Sequence, residues 1–284
     1  MSVFHYKTQE EGLTVEQLLR EEWQAGKKTV HQMRMAKSVK GTDGEPIEWR
    51  TPLAEGTPLT FEFPDAQSAY VSEKSDGLAV FFEDEHILAA LKPAGITTHP
   101  DGPGETGTLM NQVMDYVRKN GGNYAEHIHR LDKGTTGVIL IAKHPIAKAL
   151  FDRMIERNDI TRKYIAEVDG YLKRPKGTIR LPIGRDRHHP VKRLVSMSGQ
   201  SALTNFTVIQ RTEDSTFVEA ELKTGRTHQI RVHLSHIGHP VIGDTLYGGS
   251  ETNDGEYRLT ATELSFIHPF TGKQTTIETP DSKK

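Results

Sequence analysis

Short apolar runs separated by polar turns set the rhythm of the chain from Gly77 onward. Leu78-Ala79-Val80-Phe81-Phe82 and Ile87-Leu88-Ala89-Ala90-Leu91 flank the turn-like Glu83-Asp84-Glu85, which predicts two strands. Val138-Ile139-Leu140-Ile141-Ala142 is β-branched and too short for a helix, so it predicts a buried strand. Thr108 to Arg118 repeats Leu109, Val113, Met114 and Val117 at helical spacing, and Ile146 to Ile155 returns to that spacing. In the second half Tyr164 to Val168, Thr204 to Ile209 and Phe217 to Leu222 alternate, as strands with one covered face do. Thr227 to His236 is the one helix expected late in the chain. Strands interrupted by isolated helices, with no regular βαβ beat, predict an α+β domain on antiparallel or mixed sheet.

The front of the chain reads differently. Thr14 caps a short amphipathic helix in which Val15, Leu18, Leu19 and Trp23 recur, and a second helix is expected around Val30 to Ala36. After Gly41, Gly44, Pro46 and Gly56 comes the alternating strand Leu59 to Phe63, ending near Pro64. Asp65 to Asp76 is polar and predicts a linker. The expected division is a small α/β unit over residues 1–70 and a larger one over 71–284.

Composition adds limits. The 284 residues are 35% hydrophobic and 26% charged with a formal net charge of −2, so an anionic partner must be met by local clustering. From Arg162 to Arg193 there are ten Lys or Arg against three Asp or Glu, with Tyr164 and Tyr171 interleaved. Such a segment is either a contact for phosphates and unpaired bases or a solvated basic face. The absence of cysteine excludes disulfides, thiolate catalysis and Cys-bearing zinc sites. The N-terminus lacks an apolar signal core and Val138 to Ala142 is too short to cross a bilayer, which leads to the expectation of a cytoplasmic protein. Nothing in the pattern demands a partner surface, so a monomer is expected.

Three stretches carry candidate chemistry. His129-Arg130-Leu131-Asp132-Lys133-Gly134-Thr135-Thr136-Gly137 precedes the buried strand, where a rigid scaffold can display a reactive group. Its Asp132, flanked by Arg and Lys, is by local features either an activated carboxylate or a turn residue. Thr224-Gly225-Arg226-Thr227-His228-Gln229-Ile230-Arg231 places Arg231 on a helix, able to grip a carboxylate or simply to face solvent. Gly102 to Leu109 has the glycine spacing of a phosphate loop without its Lys, which rejects nucleotide hydrolysis. His228, His233, His236 and His239 show no H-E-x-x-H spacing, so no metal is expected.

Taken together, these blocks resemble the RluA-type pseudouridine synthases, through most of residues 78–280. Lys92-Pro93-Ala94-Gly95-Ile96-Thr97-Thr98-His99-Pro100 resembles the family's first block, and His129 to Gly137 resembles its highly specific H-R-L-D signature. Arg162-Lys163-Tyr164 with Val168-Asp169-Gly170 is similar to the tyrosine block. Thr224 to His233, followed by Gly238 to Asp244 and Tyr247-Gly248, is similar to the last. The resemblance implies a bent, mainly antiparallel mixed sheet flanked by helices and an enzyme that isomerises uridine in structured RNA, ribosomal or transfer, without cofactor. It implies Asp132 as the catalytic carboxylate, Arg231 as its salt-bridge partner, and Tyr164 as the face that stacks on the uracil and assists at carbon 5. Arg130 would hold the RNA open, and His129, Lys92, Arg162, Lys163, Arg226 and His228 join it as candidate RNA contacts. Residues 1–70 are similar to a degenerate RNA-binding module of the S-four type. The competing expectation is a non-catalytic RNA-binding or ribosome-assembly factor on the same scaffold.

Overall fold

The computed structural model describes residues 2–63, 66–74 and 77–280. The linker expected over Asp65 to Asp76 and the strand end at Pro64 fall partly outside the described residues.

The front unit opens with strand β1 (Ser2–Lys7), which the sequence reading did not identify. Thr14 caps helix α1 (Val15–Gln17) through a reciprocal bond with Gln17, and the chain continues as a π-turn over Leu18–Glu22. Helix α2 (Lys27–Met35), β2 (Val39–Lys40) and β3 (Pro58–Phe63) complete it, with strand order β1-β3-β2. Its apolar face does not close on itself. Phe4 stacks on Phe61 at 4.8 Å and on His144 at 4.2 Å, and meets Phe270 at 5.5 Å. Burying that face against the larger unit is what so small a sheet needs for stability.

The larger unit is a ten-stranded mixed sheet, as expected. Its elements are β4 (Val80–Glu83), β5 (Ile87–Lys92), α3 (Leu109–Lys119), β6 (Glu126–His127), β7 (Thr136–Ala142) and α4 (Pro145–Arg157). Then follow β8 (Thr161–Asp169), β9 (Lys176–Arg180), β10 (Ile183–Arg185), β11 (Arg193–Val195), β12 (Leu203–Arg211) and β13 (Ser215–Leu222). Helix α5 (Gln229–His236), β14 (Leu259–Ile267) and β15 (Gln274–Glu278) close it. The main path is β4-β5-β7-β14-β8-β13-β12-β9, while β10 and β11 form a separate hairpin.

The junction of β7 and β14 positions the site. They are the one parallel pair among the described strands, and they touch only at Thr136–Thr260 and Gly137–Ala261. Beyond that point they part, β6 pairing with the far end of β7 and β15 with the far end of β14. Gly137 makes the contact possible: a Cβ there would lie 2.2 Å from the Ala261 carbonyl oxygen, and its φ is +123°. The loop carrying Asp132 runs into β7 at this apex, and the completely buried Val138 to Ala142 anchors it in the core.

Candidate active site

Asp132 sits in a cleft of about 520 Å³, within the roughly 300–1,000 Å³ typical of small-molecule sites. His129, Arg130, Arg162, Tyr164, Arg226, His228 and Arg231 line it. Segments far apart in sequence therefore converge: the loop before β7, strand β8 and the start of α5.

The strongest electrostatic feature is Arg231. Its Nε and Nη2 donate to both carboxylate oxygens of Asp244 at 2.7 and 2.9 Å, and its Nη1 donates to Asp132 Oδ2 at 3.2 Å. The guanidinium lies 4.9 Å from the Tyr247 ring centroid and 4.6 Å from that of Tyr257. Arg231 thus makes the forked pair with Asp244 and gives Asp132 a single bond. Burial pulls the guanidinium toward neutrality, but the Asp244 bonds and the charges of Tyr257, Asp244 and Asp132 more than offset it and raise its pKa. The cation is permanent, and one nitrogen of it is aimed at Asp132.

A second chain of bonds fixes His228. The Tyr247 hydroxyl accepts from the Arg193 backbone N–H at 2.9 Å and lies 2.7 Å from His228 Nδ1. On its other side His228 Nε2 lies 3.9 Å from Asp132 Oδ2. Burial lowers the His228 pKa, against the Asp132 charge and together with Arg231 and Arg193. His228 occupies a left-handed conformation, φ +58°, just before α5.

Tyr164 is 6% exposed, and burial pushes its hydroxyl up to about 12, with the Asp132 charge acting in the same direction. It keeps its proton at neutral pH, which suits a stacking face and disfavours a free phenolate base at carbon 5. Arg162, two residues before it on the same face of β8, is 5% exposed with its Nε unpartnered.

Three residues expected to contact RNA are engaged within the protein. Lys92 has no exposed surface, and its ammonium donates to the carbonyls of Pro93, Ile96 and Lys133 at 2.8, 2.8 and 3.0 Å. It ties the first block to the Asp132 loop, and burial brings its pKa down to about 8 against the Asp132 charge. Lys163 lies on the opposite face of β8 from Tyr164, 3.2 Å from Glu263 and 3.8 Å from Glu219. His129 lines the cleft but accepts from the Leu140 N–H at 3.2 Å, and burial lowers its pKa to about 3, so it is neutral. Arg130 and Arg226 line the cleft and are exposed. The late histidines diverge: His233 bonds Thr204 and the Leu181 carbonyl, and His239 bonds the Asp169 carbonyl.

The roles of Asp244, Tyr247 and Tyr257 were not read from the sequence. The first two stand in the last block, where Gly-Asp and Tyr-Gly were visible without a role. Tyr257 stands outside every block. Its signal is indirect, since a Cβ on Gly134 of the signature would lie 2.5 Å from the Tyr257 ring.

Residues 86–236 match the family described as RNA pseudouridylate synthase, and residues 3–59 match the RluD ribosomal pseudouridine synthase N-terminal domain. An uncharacterized RNA pseudouridine synthase of Bacillus subtilis, YhcT, is 42% identical over 231 residues, covering 80% of this chain and 76% of the relative. Ribosomal large subunit pseudouridine synthase D of Pseudomonas aeruginosa is 35% identical over 254 residues, covering 84% and 79%. The fold is shared with the human RNA pseudouridylate synthase domain containing 1, at a TM-score of 0.60 and 24% identity over 72% of this chain and 84% of that one. With the signature loop, its arginine and its tyrosine brought into one cleft, and with relatives of this closeness, the chain belongs to the RNA pseudouridylate synthase family, isomerases that act on RNA.

Proposed function

We propose that this enzyme converts uridines of large-subunit ribosomal RNA to pseudouridine, with Asp132 as the group that begins the reaction. The observation that carries the reading is the Arg231–Asp132 contact at the base of a nucleotide-sized cleft. The target nucleotide leaves the RNA stack, at a cost of a few kcal/mol that favours loops and bulges, and its uracil lies on Tyr164. Arg231 holds Asp132 in place through its Nη1 bond, and the carboxylate opens the bond from ribose to ring nitrogen. The uracil then turns and rejoins through carbon 5, which gives up its proton to solvent while the freed ring nitrogen takes one, so substrate and product are isomers. Atoms balance without electron transfer, and every group invoked belongs to the chain.

Arg130 holds the vacated stack open. Arg162, buried and short of one partner, suits a phosphate or base oxygen of the entering nucleotide. Residues 1–70 form the smaller domain and 71–284 the catalytic one, docked through Phe4 and His144. Ribosomal RNA as target is supported by the name of the Pseudomonas aeruginosa relative. The test is pseudouridine mapping of large-subunit ribosomal RNA in a strain lacking the gene. At least one site should be lost and restored by the wild-type gene; an unchanged map in all ribosomal RNA would overturn this target.

A further inference from the structure

We propose that Tyr70, in the segment joining the two units, is a positioning residue for Arg130 that acts through His127 and His99; this rests on the reading that Arg130 holds the vacated stack open. That segment reads as a polar linker in the sequence, yet residues 66–74 are bonded along the larger unit. The buried Ser68 donates its hydroxyl to the Ala125 carbonyl at 2.7 Å and accepts the Ala125 N–H at 3.0 Å. Three residues on, the Val71 carbonyl accepts from Asn111 Nδ2 at 2.8 Å. Tyr70 stands between these two anchors.

From Tyr70 a chain of side chains runs to Arg130, and the partners fix each proton in it. The Tyr70 hydroxyl donates to Glu126 Oε2 at 2.8 Å, and burial together with that carboxylate raises its pKa, so the phenol stays protonated. Its one proton is thus committed, and the 3.1 Å contact with His127 Nδ1 needs a hydrogen on the nitrogen. Burial brings the His127 pKa down to about 4, which keeps that ring neutral. The ring stacks on His99, with centroids 4.5 Å apart and planes 16° from parallel. His99 Nδ1 lies 2.8 Å from the Pro100 carbonyl, which can only accept, so Nδ1 carries a hydrogen. On the other side Arg130 Nη1, which can only donate, lies 3.4 Å from His99 Nε2. Nε2 is therefore bare and receives the guanidinium.

Packing alone would ask for two flat rings here, not for two imidazoles whose hydrogens are each set by a partner. The stack and the Pro100 bond fix the His99 plane and leave one lone pair, aimed at Arg130. The backbone brings the same two residues together. Thr98 donates its hydroxyl to the Leu131 carbonyl and accepts the Leu131 N–H, both at 3.1 Å, so the neighbours of His99 and Arg130 are bonded twice. Arg130 is exposed and lines the cleft. A free arginine loses much rotamer freedom when it is ordered. Tethered to His99, it is ordered before RNA arrives, and less is lost as the nucleotide leaves the stack.

The experiment compares the full-length wild type with Tyr70→Phe, which keeps the ring and removes the hydroxyl. Ser68→Ala, which breaks another bond of the same segment, is the control for a merely structural effect. Nitrogen NMR spectra of isotope-labelled histidine and arginine read the tether without RNA, with signals assigned through His99→Gln and Arg130→Lys. Wild-type His99 should show the Nδ1-protonated tautomer. Tyr70→Phe should shift the His99 Nε2 and Arg130 guanidinium signals, and Ser68→Ala should leave both in place. Tritium release from large-subunit ribosomal transcripts labelled at uridine carbon 5 reads the consequence. In Tyr70→Phe kcat should fall by roughly fivefold with KM within about twofold, and Ser68→Ala should keep the wild-type kcat. Unmoved signals or an unchanged kcat in Tyr70→Phe, or equal losses in both variants, overturn the proposal. Release by the wild type with unmoved signals sinks Tyr70 and spares the ribosomal reading. No release by the wild type sinks that reading, and the spectra then decide on Tyr70.

Discussion

Two buried polar clusters, each boxed by aromatic rings, lie in this molecule and do opposite work. In the cleft, Arg231 lies between Tyr247 and Tyr257 with two carboxylates on its nitrogens. At the junction of the two units, His86, His144 and His268 lie among Phe4, Phe63 and Phe270, and His86 stacks on Phe270 at 3.8 Å. The first keeps a permanent charge in place because the countercharges are buried with it. In the second, two rings satisfy each other, His144 Nδ1 accepting the Ala147 N–H while its Nε2 lies 3.0 Å from His86 Nδ1, and His268 Nε2 lies 3.2 Å from Asp84. Burial lowers the pKa of His144 well below its ordinary value and that of His86 to about 4. Burial among aromatic rings penalises charge in both clusters; two carboxylates bonded to Arg231 outweigh that penalty in the cleft, whereas the charge of Asp84 does not outweigh it for His86 and His144.

Breaking the charged cluster should cost most. Asp244→Ala leaves Arg231 in its box with one bond to Asp132, so urea denaturation should show a loss of about 3 kcal/mol. Turnover should fall by roughly a hundredfold, because Asp132 is no longer aimed by a fixed guanidinium. Retention of both would mean that Asp244 is incidental.

The neutral cluster should instead respond to acid. A histidine whose folded pKa lies below its unfolded value binds fewer protons when folded, so stability is present above pH 6.5 and is lost as pH falls through that value toward about 4. His86→Phe should flatten the stability profile over pH 4–6.5 by up to about 1.4 kcal/mol per pH unit, measured by urea titration at a series of pH values. His127 and His129 add slope of the same sign, so the difference between variant and wild type is the quantity to read. An unaltered slope would show that His86 does not titrate in this window.

A finer probe of the cleft is Tyr247→Phe, which keeps the ring over Arg231 and removes the hydroxyl from His228 Nδ1. Loss of that bond frees the His228 ring and should cost several-fold in kcat with little change in KM, read by steady-state kinetics. An unchanged kcat would separate the Tyr247–His228 bond from the reaction. Smaller still is the effect expected at Lys163: Lys163→Gln should leave KM for RNA within about twofold, because that side chain faces Glu263. Arg162→Gln should raise KM by roughly tenfold. Equal effects would place both residues on the RNA.

The clarity of the sequence followed the range of the interactions involved. Val138 to Ala142 announced a buried strand because a run of β-branched side chains needs no distant partner to be read. The Asp132, Tyr164 and Arg231 set was legible only through the ordered blocks, since local chemistry left each open to a plainer role. For Lys163 the two-residue period of β8 was the unused clue: with Tyr164 in the cleft, Arg162 points in and Lys163 points out. Lys92 was misread because a lysine satisfied by three carbonyls looks, in sequence, like any other lysine. Strand β14 escaped altogether, its Thr, Glu and Ser diluting the apolar signal while it joins β7 to β8. Asp244 and Tyr257 gain their meaning only when the chain folds back on Arg231 and Gly134, which no local pattern records.

The central claim is that Asp132, held by Arg231, performs the chemistry. Asp132→Asn keeps the shape of the side chain and removes its charge, and tritium release from uridine carbon 5 in labelled ribosomal RNA reads the reaction. The rate should fall by roughly a thousandfold or more while RNA binding stays within a few-fold of wild type. A variant that releases tritium within tenfold of the wild-type rate would contradict the account.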